Sequence, residues 1–254
     1  EILFSSYICH PQMVNNELSG PAVLSGIANQ LIYKKNYYSY RFVLVPETIG
    51  SIAFLSHNLE HLKKNVVGGY NITCVGDERA WGLMPSKYGN NISDDIARFV
   101  LNDNSIEYQE HSWLDRGSDE RQYCAPGIDL PISSITRSIY GSYPEYHTSL
   151  DNFDLVTKKG LDESLDVYLQ CVSVFEINKH KPMVKTLGEP QLGKRGLYPN
   201  ISDGNTFLKV RNMMNFLSFC DGKNSIMDIS ELCEISYGEA KSYYELFNRE
   251  DLIK

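Results

Sequence analysis

The sequence predicts an α/β fold, a sheet covered on both faces by helices, followed by a small helical module of winged-helix type. Three observations predict it. Strand-like and helix-like runs alternate along the first two thirds of the chain. The strand-like runs are continuously apolar instead of alternating, as in sheets buried on both faces. After a stretch rich in proline, glycine and basic residues, the pattern becomes wholly helical.

Ile2–Cys9 is the first apolar strand. Gly20–Tyr33 follows with Val23, Leu24, Ile27, Ala28 and Leu31 at helical spacing. Arg41–Val45 (RFVLV) is a second strand, and Gly50–Lys63 places Ile52, Phe54, Leu55, Leu59 and Leu62 on a second helix. Val66–Val75 (VVGGYNITCV) is a third strand, and Ile92–Leu101 a third helix with Ser93 as its cap. Leu130–Ile135 (LPISSI) is a late, short strand, and Gly160–Glu176 a long amphipathic helix. From Lys179 to Asn205 there is no periodicity. The chain is therefore divided into an α/β domain over 1–180, a linker over 181–205 and a helical module over 206–254. The module's helices are Thr206–Phe219, Ile226–Glu234 and Tyr237–Arg249, short and closely linked, which suggests a helix-turn-helix or winged helix.

Bulk properties exclude several classes. No apolar run is long enough for a membrane span, and no charged-then-apolar leader opens the chain. The chain starts on Glu1 with a strand already under way, which predicts a piece of a longer protein lacking its N-terminal sequence. Its six cysteines form no C-x-x-C pair, which argues against a zinc ribbon or a redox motif and for reduced thiols in the cytoplasm. A formal charge of −8 disfavours nucleic-acid binding. Residues 207–254 hold six Lys or Arg against eight Asp or Glu, so the module is expected to dock a protein or its own chain, not DNA.

Ligands of open α/β sheets bind outside the carboxyl ends of the strands. His10 follows the first strand, Glu47 the second (VPETIGS) and Asp77 the third (CVGD), while SYPEYHTSLDN adds His147 and Asp151 after the late strand. Singly, each reads as an ordinary loop residue. Together they suit a metal-dependent hydrolase with one carboxylate left as general base. His57 and His61 in HNLEH have the spacing of the helical H-E-x-x-H zinc pair, but Asn58 stands where the glutamate would be, so they are read as helix surface.

CHPQMVNNELSG, VPETIGS, CVGD, RGSDERQYCAPGIDLP and YPEYHTSLDN together resemble zinc exopeptidases of the aminopeptidase type. More closely, the chain looks like the bacterial aminopeptidase-like proteins often encoded among surface-polysaccharide biosynthesis genes, which also tend to end in a winged-helix-like module. The resemblance implies a three-layer α-β-α fold on a mixed sheet, with zinc as cofactor. His10 matches the first zinc histidine and His147 the last. Asn16 falls where dinuclear relatives place the aspartate that bridges two metals. Glu47 matches the general base, with Thr48 where a second glutamate would be a ligand; in a register slipped by one, Glu47 is itself the ligand. Thr73 takes the third-strand ligand position, with Asp77 a few residues later. Glu17, Asp77, Asp119, Glu120, Arg121 and Tyr146 are further metal or substrate contacts to test. A neutral amide in place of a bridging carboxylate implies one zinc ion, or none. The expected reaction is hydrolysis of an amide in a small peptide or an acylated amino sugar. The alternative is a degraded relative that binds an amino or sugar ligand or acts as a regulatory protein in polysaccharide biosynthesis.

Overall fold

The computed structural model describes residues 1–10, 12–197 and 204–254. They form two compact units, Glu1–Ser173 and Val174–Lys254.

The first unit is built on a six-stranded sheet in the order β2-β1-β3-β6-β4-β5. Its strands are β1 (Ile2–Tyr7), β2 (Tyr40–Val45), β3 (Gly68–Asn71), β4 (Gly82–Met84), β5 (Gln109–Glu110) and β6 (Ile132–Thr136). β1, β2, β3 and β6 run parallel, and β4 is antiparallel to β6, so the sheet is mixed. β1 lies between β2 and β3 and is buried along its whole length, which is why its sequence is apolar on both faces. Leu3 points into a core with Val43, Leu55, Leu62, Tyr123 and Ile132. Phe4 points the other way, edge-on to Tyr168 at 6.4 Å and beside Tyr70 at 6.1 Å. Helices α1 (Ser19–Leu31), α2 (Ile49–Asn65), α3 (Ile92–Asp103), α4 (Glu120–Tyr123) and α5 (Lys158–Asn178) complete the three layers.

Several local expectations need correction. The second strand is only partly buried: it is the sheet's edge, with Val43 in the core and Leu44 exposed. The third strand stops at Asn71, because the chain bends through Ile72–Val75 with Cys74 at φ 52°. The cap of α3 is Asn91, not Ser93. Asn91 accepts from the N–H groups of Ser93 and Asp94 in a reciprocal capping box, while Ser93 Oγ ties β3 to the β6 approach through Gly69 N and Pro131 O.

The second unit contains α6 (Gly204–Ser218), α7 (Ile226–Cys233) and α8 (Tyr237–Arg249), packed on a core that includes Phe216, Ile229, Tyr243 and Phe247. Part of the expected linker belongs to this unit. Met183 and Val184 form bridges with Asp221 and Ile253, so residues on both sides of the helices are drawn into one small ladder. Residues 198–203 of that linker lie outside the described residues. Among the described residues no helix is long and apolar enough to cross a membrane.

Candidate metal centre

The loops leaving β1, β2, β3 and β6 gather where these parallel strands end. After β1 the chain enters a π-helical turn, Val14–Leu18, that leads into α1. The entry is close: a Cβ at Gly20 would meet Ile72 O and Ser6 Oγ, each at 2.3 Å, so the ELSG glycine lets α1 lie on the strand ends. The first N–H groups of the turn have no partners within it. Asp151 supplies them from the far end of the unit. Its Oδ1 accepts from Val14 N at 3.1 Å and Asn15 N at 2.6 Å, and its Oδ2 from Asn16 N at 3.0 Å and Tyr143 OH at 3.2 Å. A buried carboxylate facing three backbone donors fixes the turn and hence the side chains of Asn16 and Glu17.

Glu17 is almost fully buried and acts on His10. His10 Nδ1 lies 2.8 Å from Glu17 Oε1, and Cys9 N donates to Glu17 Oε2 at 2.7 Å. Such a carboxylate selects the tautomer with the proton on Nδ1 and leaves Nε2 as the lone-pair atom. Glu17 therefore fixes the orientation of the His10 ring. Cys9 Sγ, His10 Nδ1 and Glu17 Oε1 lie within 4.8 Å of one another. Burial pushes the Cys9 thiol up to about 11, so it serves as a hydrogen-bond donor to Glu17.

His147 comes from the opposite loop with a left-handed backbone, φ 56°. Its ring centroid is 4.9 Å from that of His10, and Tyr146 stacks on its other side at 4.0 Å. Tyr146 thus backs His147, with its hydroxyl raised to about 12 by burial. Glu47 is half-buried just beyond β2. Burial, and next the negative charge of Asp119, push its carboxyl up to about 7, against the pull of Arg121 and a hydrogen bond from Ser118.

Two carboxylates on which the sequence placed metal or substrate contacts are engaged elsewhere. Asp77 is fully buried: Oδ1 accepts from Arg79 N and Ser138 Oγ, and Oδ2 from Asn15 Nδ2 and Ser138 N. Glu120, equally buried, accepts from Gly117 N, Ser118 N and Tyr140 OH on Oε1, and from Asn71 Nδ2 on Oε2. Both tie loops together and present no oxygen to a ligand. Asp119 is buried beside Glu47, bound through Oδ1 to Thr48 N and Ser51 Oγ, and Arg121 reaches Thr48 Oγ1.

Asn16 is buried, its Nδ2 donates to Tyr7 OH at 2.6 Å, and its Oδ1 has no partner. That oxygen is available to a cation or to an N–H group of a ligand. Asp77 and Asp151 have both oxygens engaged, whereas Asp119 Oδ2 is buried with no partner. At the third-strand position, Thr73 donates to Asn16 O at 3.1 Å and is bound to Tyr7 OH. The role of Asp151 as the cap of the Val14 turn, and of Glu17 as the partner of His10, escaped sequence reasoning. The nearest signal was the acidic residue four positions after His147 in YHTSLD.

Comparisons with known proteins bear on the family and the fold. Residues 1–178 match a family described as a domain of unknown function (DUF4910), and residues 181–254 match a winged helix-turn-helix family. A Clostridium acetobutylicum protein described as a polysaccharide biosynthesis protein with an aminopeptidase-like domain is 40% identical over 255 residues, covering 100% of this chain and 58% of its own length. A crystal structure of a peptidase from Clostridium acetobutylicum superposes with a TM-score of 0.89 at 39% identity, over 100% of this chain and 57% of that one. A zinc aminopeptidase from Bacillus subtilis superposes with a TM-score of 0.59 at 18% identity, over 74% of this chain and 48% of that one, a likeness of fold. The chain spans a little over half the length of the Clostridium proteins that it matches.

Proposed function

This chain belongs to the DUF4910 family and carries an aminopeptidase-like fold, and on that premise we propose that its α/β unit is a single-metal hydrolase of an amide bond. The substrate class is a small peptide or an acylated amino sugar. The observation that carries the reading is the approach of His10 and His147, 137 residues apart in sequence, to 4.9 Å between ring centroids, with Glu17 holding His10 Nδ1.

His10 and His147 would hold zinc, with Asn16 Oδ1 as the third donor; bound there, the ion would act as a Lewis acid on the scissile carbonyl. Glu47 takes the proton of the attacking water and delivers it to the leaving amine. A carboxyl raised to about 7 suits both steps, because it is ionised about half the time at neutral pH and is a stronger base than an ordinary glutamate. The loops that hold Asp77, Glu120 and Asp151 keep the four strand ends in register around this base. Residues 207–254, with six Lys or Arg against eight Asp or Glu, are assigned to docking a protein partner on the grounds of that acidic excess, and the chain's free thiols fit a reducing compartment such as the cytoplasm.

The test is zinc content and turnover of aminoacyl and N-acetyl amino-sugar substrates by the purified chain. His10→Ala and His147→Ala should lose zinc. Glu47→Gln should keep zinc and lose at least 100-fold in turnover, and a Glu47→Gln variant with wild-type turnover sinks the mechanism. A second reading, a pocket that binds an amino or sugar ligand without hydrolysis, is favoured by Asn16, Thr48 and Thr73 at positions where relatives place carboxylates. Absence of zinc after supplementation, with ligand binding retained, selects it.

A further inference from the structure

Glu47 is followed by the most unusual backbone of the site. Thr48 has φ 62° and ψ −65°, and Ile49 N donates to Glu47 O at 2.7 Å. This is a γ-turn of the positive-φ kind, rare and strained, and the residue at its centre is β-branched, the type least suited to positive φ. Such a turn persists only where its surroundings hold it. Here they do so through every polar atom of Thr48. Its N–H donates to Asp119 Oδ1 at 2.8 Å, and its Oγ1 accepts from Arg121 Nη2 at 2.6 Å. The Ser51 hydroxyl lies 3.0 Å from the Thr48 carbonyl and 2.7 Å from Asp119 Oδ1. Arg121 is itself anchored through Nε to Ser118 O at 3.1 Å. On the opposite side the turn is packed against β2, where a Cβ at Gly50 would come within 2.7 Å of Val45 Cβ.

We propose that Asp119 and Arg121 are positioning residues that clamp Thr48 in its strained turn and so fix the Glu47 carboxylate for its task, instead of contacting substrate. Asp119 is completely buried with Oδ1 engaged by Thr48 N and Ser51 Oγ and Oδ2 without a partner, and the Asp119 and Arg121 side chains converge on one residue of another loop. The clamp also sets the charge environment of Glu47, since Asp119 raises its carboxyl and Arg121 lowers it. The remaining groups that face Glu47 are Ser118 and Glu120 from the same segment, Tyr7 and Cys9 from β1 and the loop that follows it, and Tyr146. The functional part of this inference rests on Glu47 being the base, whereas the clamp itself can be read without any reaction.

The experiment measures amide hydrogen exchange at Thr48 and Ile49 in the whole chain, beside turnover. Asp119→Ala should speed exchange of the Thr48 amide at least tenfold while amides of β1 and β6 keep their protection. Asp119→Asn retains an Oδ1 acceptor and should preserve most of that protection. Thr48→Val removes only the bond to Arg121 and should speed exchange severalfold, so it decides the matter if Asp119→Ala does not fold. Glycine adopts positive φ freely, so Thr48→Gly placed in Asp119→Ala should restore at least tenfold of the kcat lost, with KM unchanged. Unchanged Thr48 exchange in both Asp119→Ala and Thr48→Val overturns the clamp. So does a loss of kcat in Asp119→Ala that Thr48→Gly leaves unrepaired. If the variants loosen Thr48 while Glu47→Gln turns over normally, the clamp stands and the hydrolytic reading fails.

Discussion

Asp151 and Glu47 are carboxylates of the same group of loops, and their surroundings are opposite. Asp151 meets three backbone N–H groups and a tyrosine hydroxyl, so both of its oxygens are neutralised by fixed dipoles. Glu47 has a neighbouring negative charge, partial burial and few donors, and is pushed up to about 7. Donor-rich carboxylates build the site, and the donor-poor one is left able to take a proton. Glu17 lies between these extremes, committed to one histidine.

This contrast is broken most severely at Asp151. Asp151→Ala leaves the Asn15 and Asn16 N–H groups without acceptors in a buried place, while Val14 N keeps the Asp151 carbonyl, a cost of about 2–4 kcal/mol. Urea unfolding measures it, and a loss under about 1 kcal/mol would mean that the turn holds itself together. Glu17→Gln is a smaller change, because an amide can still accept from His10 Nδ1 but without charge. Zinc affinity should fall about 10- to 100-fold, as for other partners of metal-bound histidines, with little change in melting temperature. Titration with a competing chelator reads it.

The smallest effect is at Glu47 and depends on pH. Its folded carboxyl lies above the usual 4.5, so its contribution to stability is fully present below pH 4.5 and is lost as pH rises through about 7. Metal-free protein should therefore lose about 1–2 kcal/mol between pH 5 and pH 8 from this group, after allowance for its partial exposure. Glu47→Gln should remove that part of the slope. An identical slope in the variant would place the titration elsewhere.

The sequence carried the outline of this arrangement unevenly. β1 was legible because a strand buried on both faces must be apolar throughout, and His10 and Glu47 became candidates because they stand just past strand ends, His147 because it follows the late strand in a polar loop. β4 and β5 were not, since three and two residues cannot display a period and their pairing is decided elsewhere in the chain, by β6 for β4 and by β4 for β5. The different roles of Asp77 and Glu47 were equally hidden, because they depend on donors such as Asn15 and Ser138, each more than 60 positions away from Asp77. The strained turn at Thr48 ran against the residue's own preference, and only the surrounding loops explain it. In the second unit, by contrast, Ser225 and Asp228 announce the start of α7 as a local capping box, and that helix lies where its sequence places it.

The central claim is that the histidine pair, and not the buried aspartates, holds the metal, and that it holds one. Anomalous scattering at the zinc edge from crystals grown with zinc measures this directly. The account predicts a single peak bonded by both His10 and His147. A second peak beside Asp77 or Asp151, or no peak at the histidines, would contradict it.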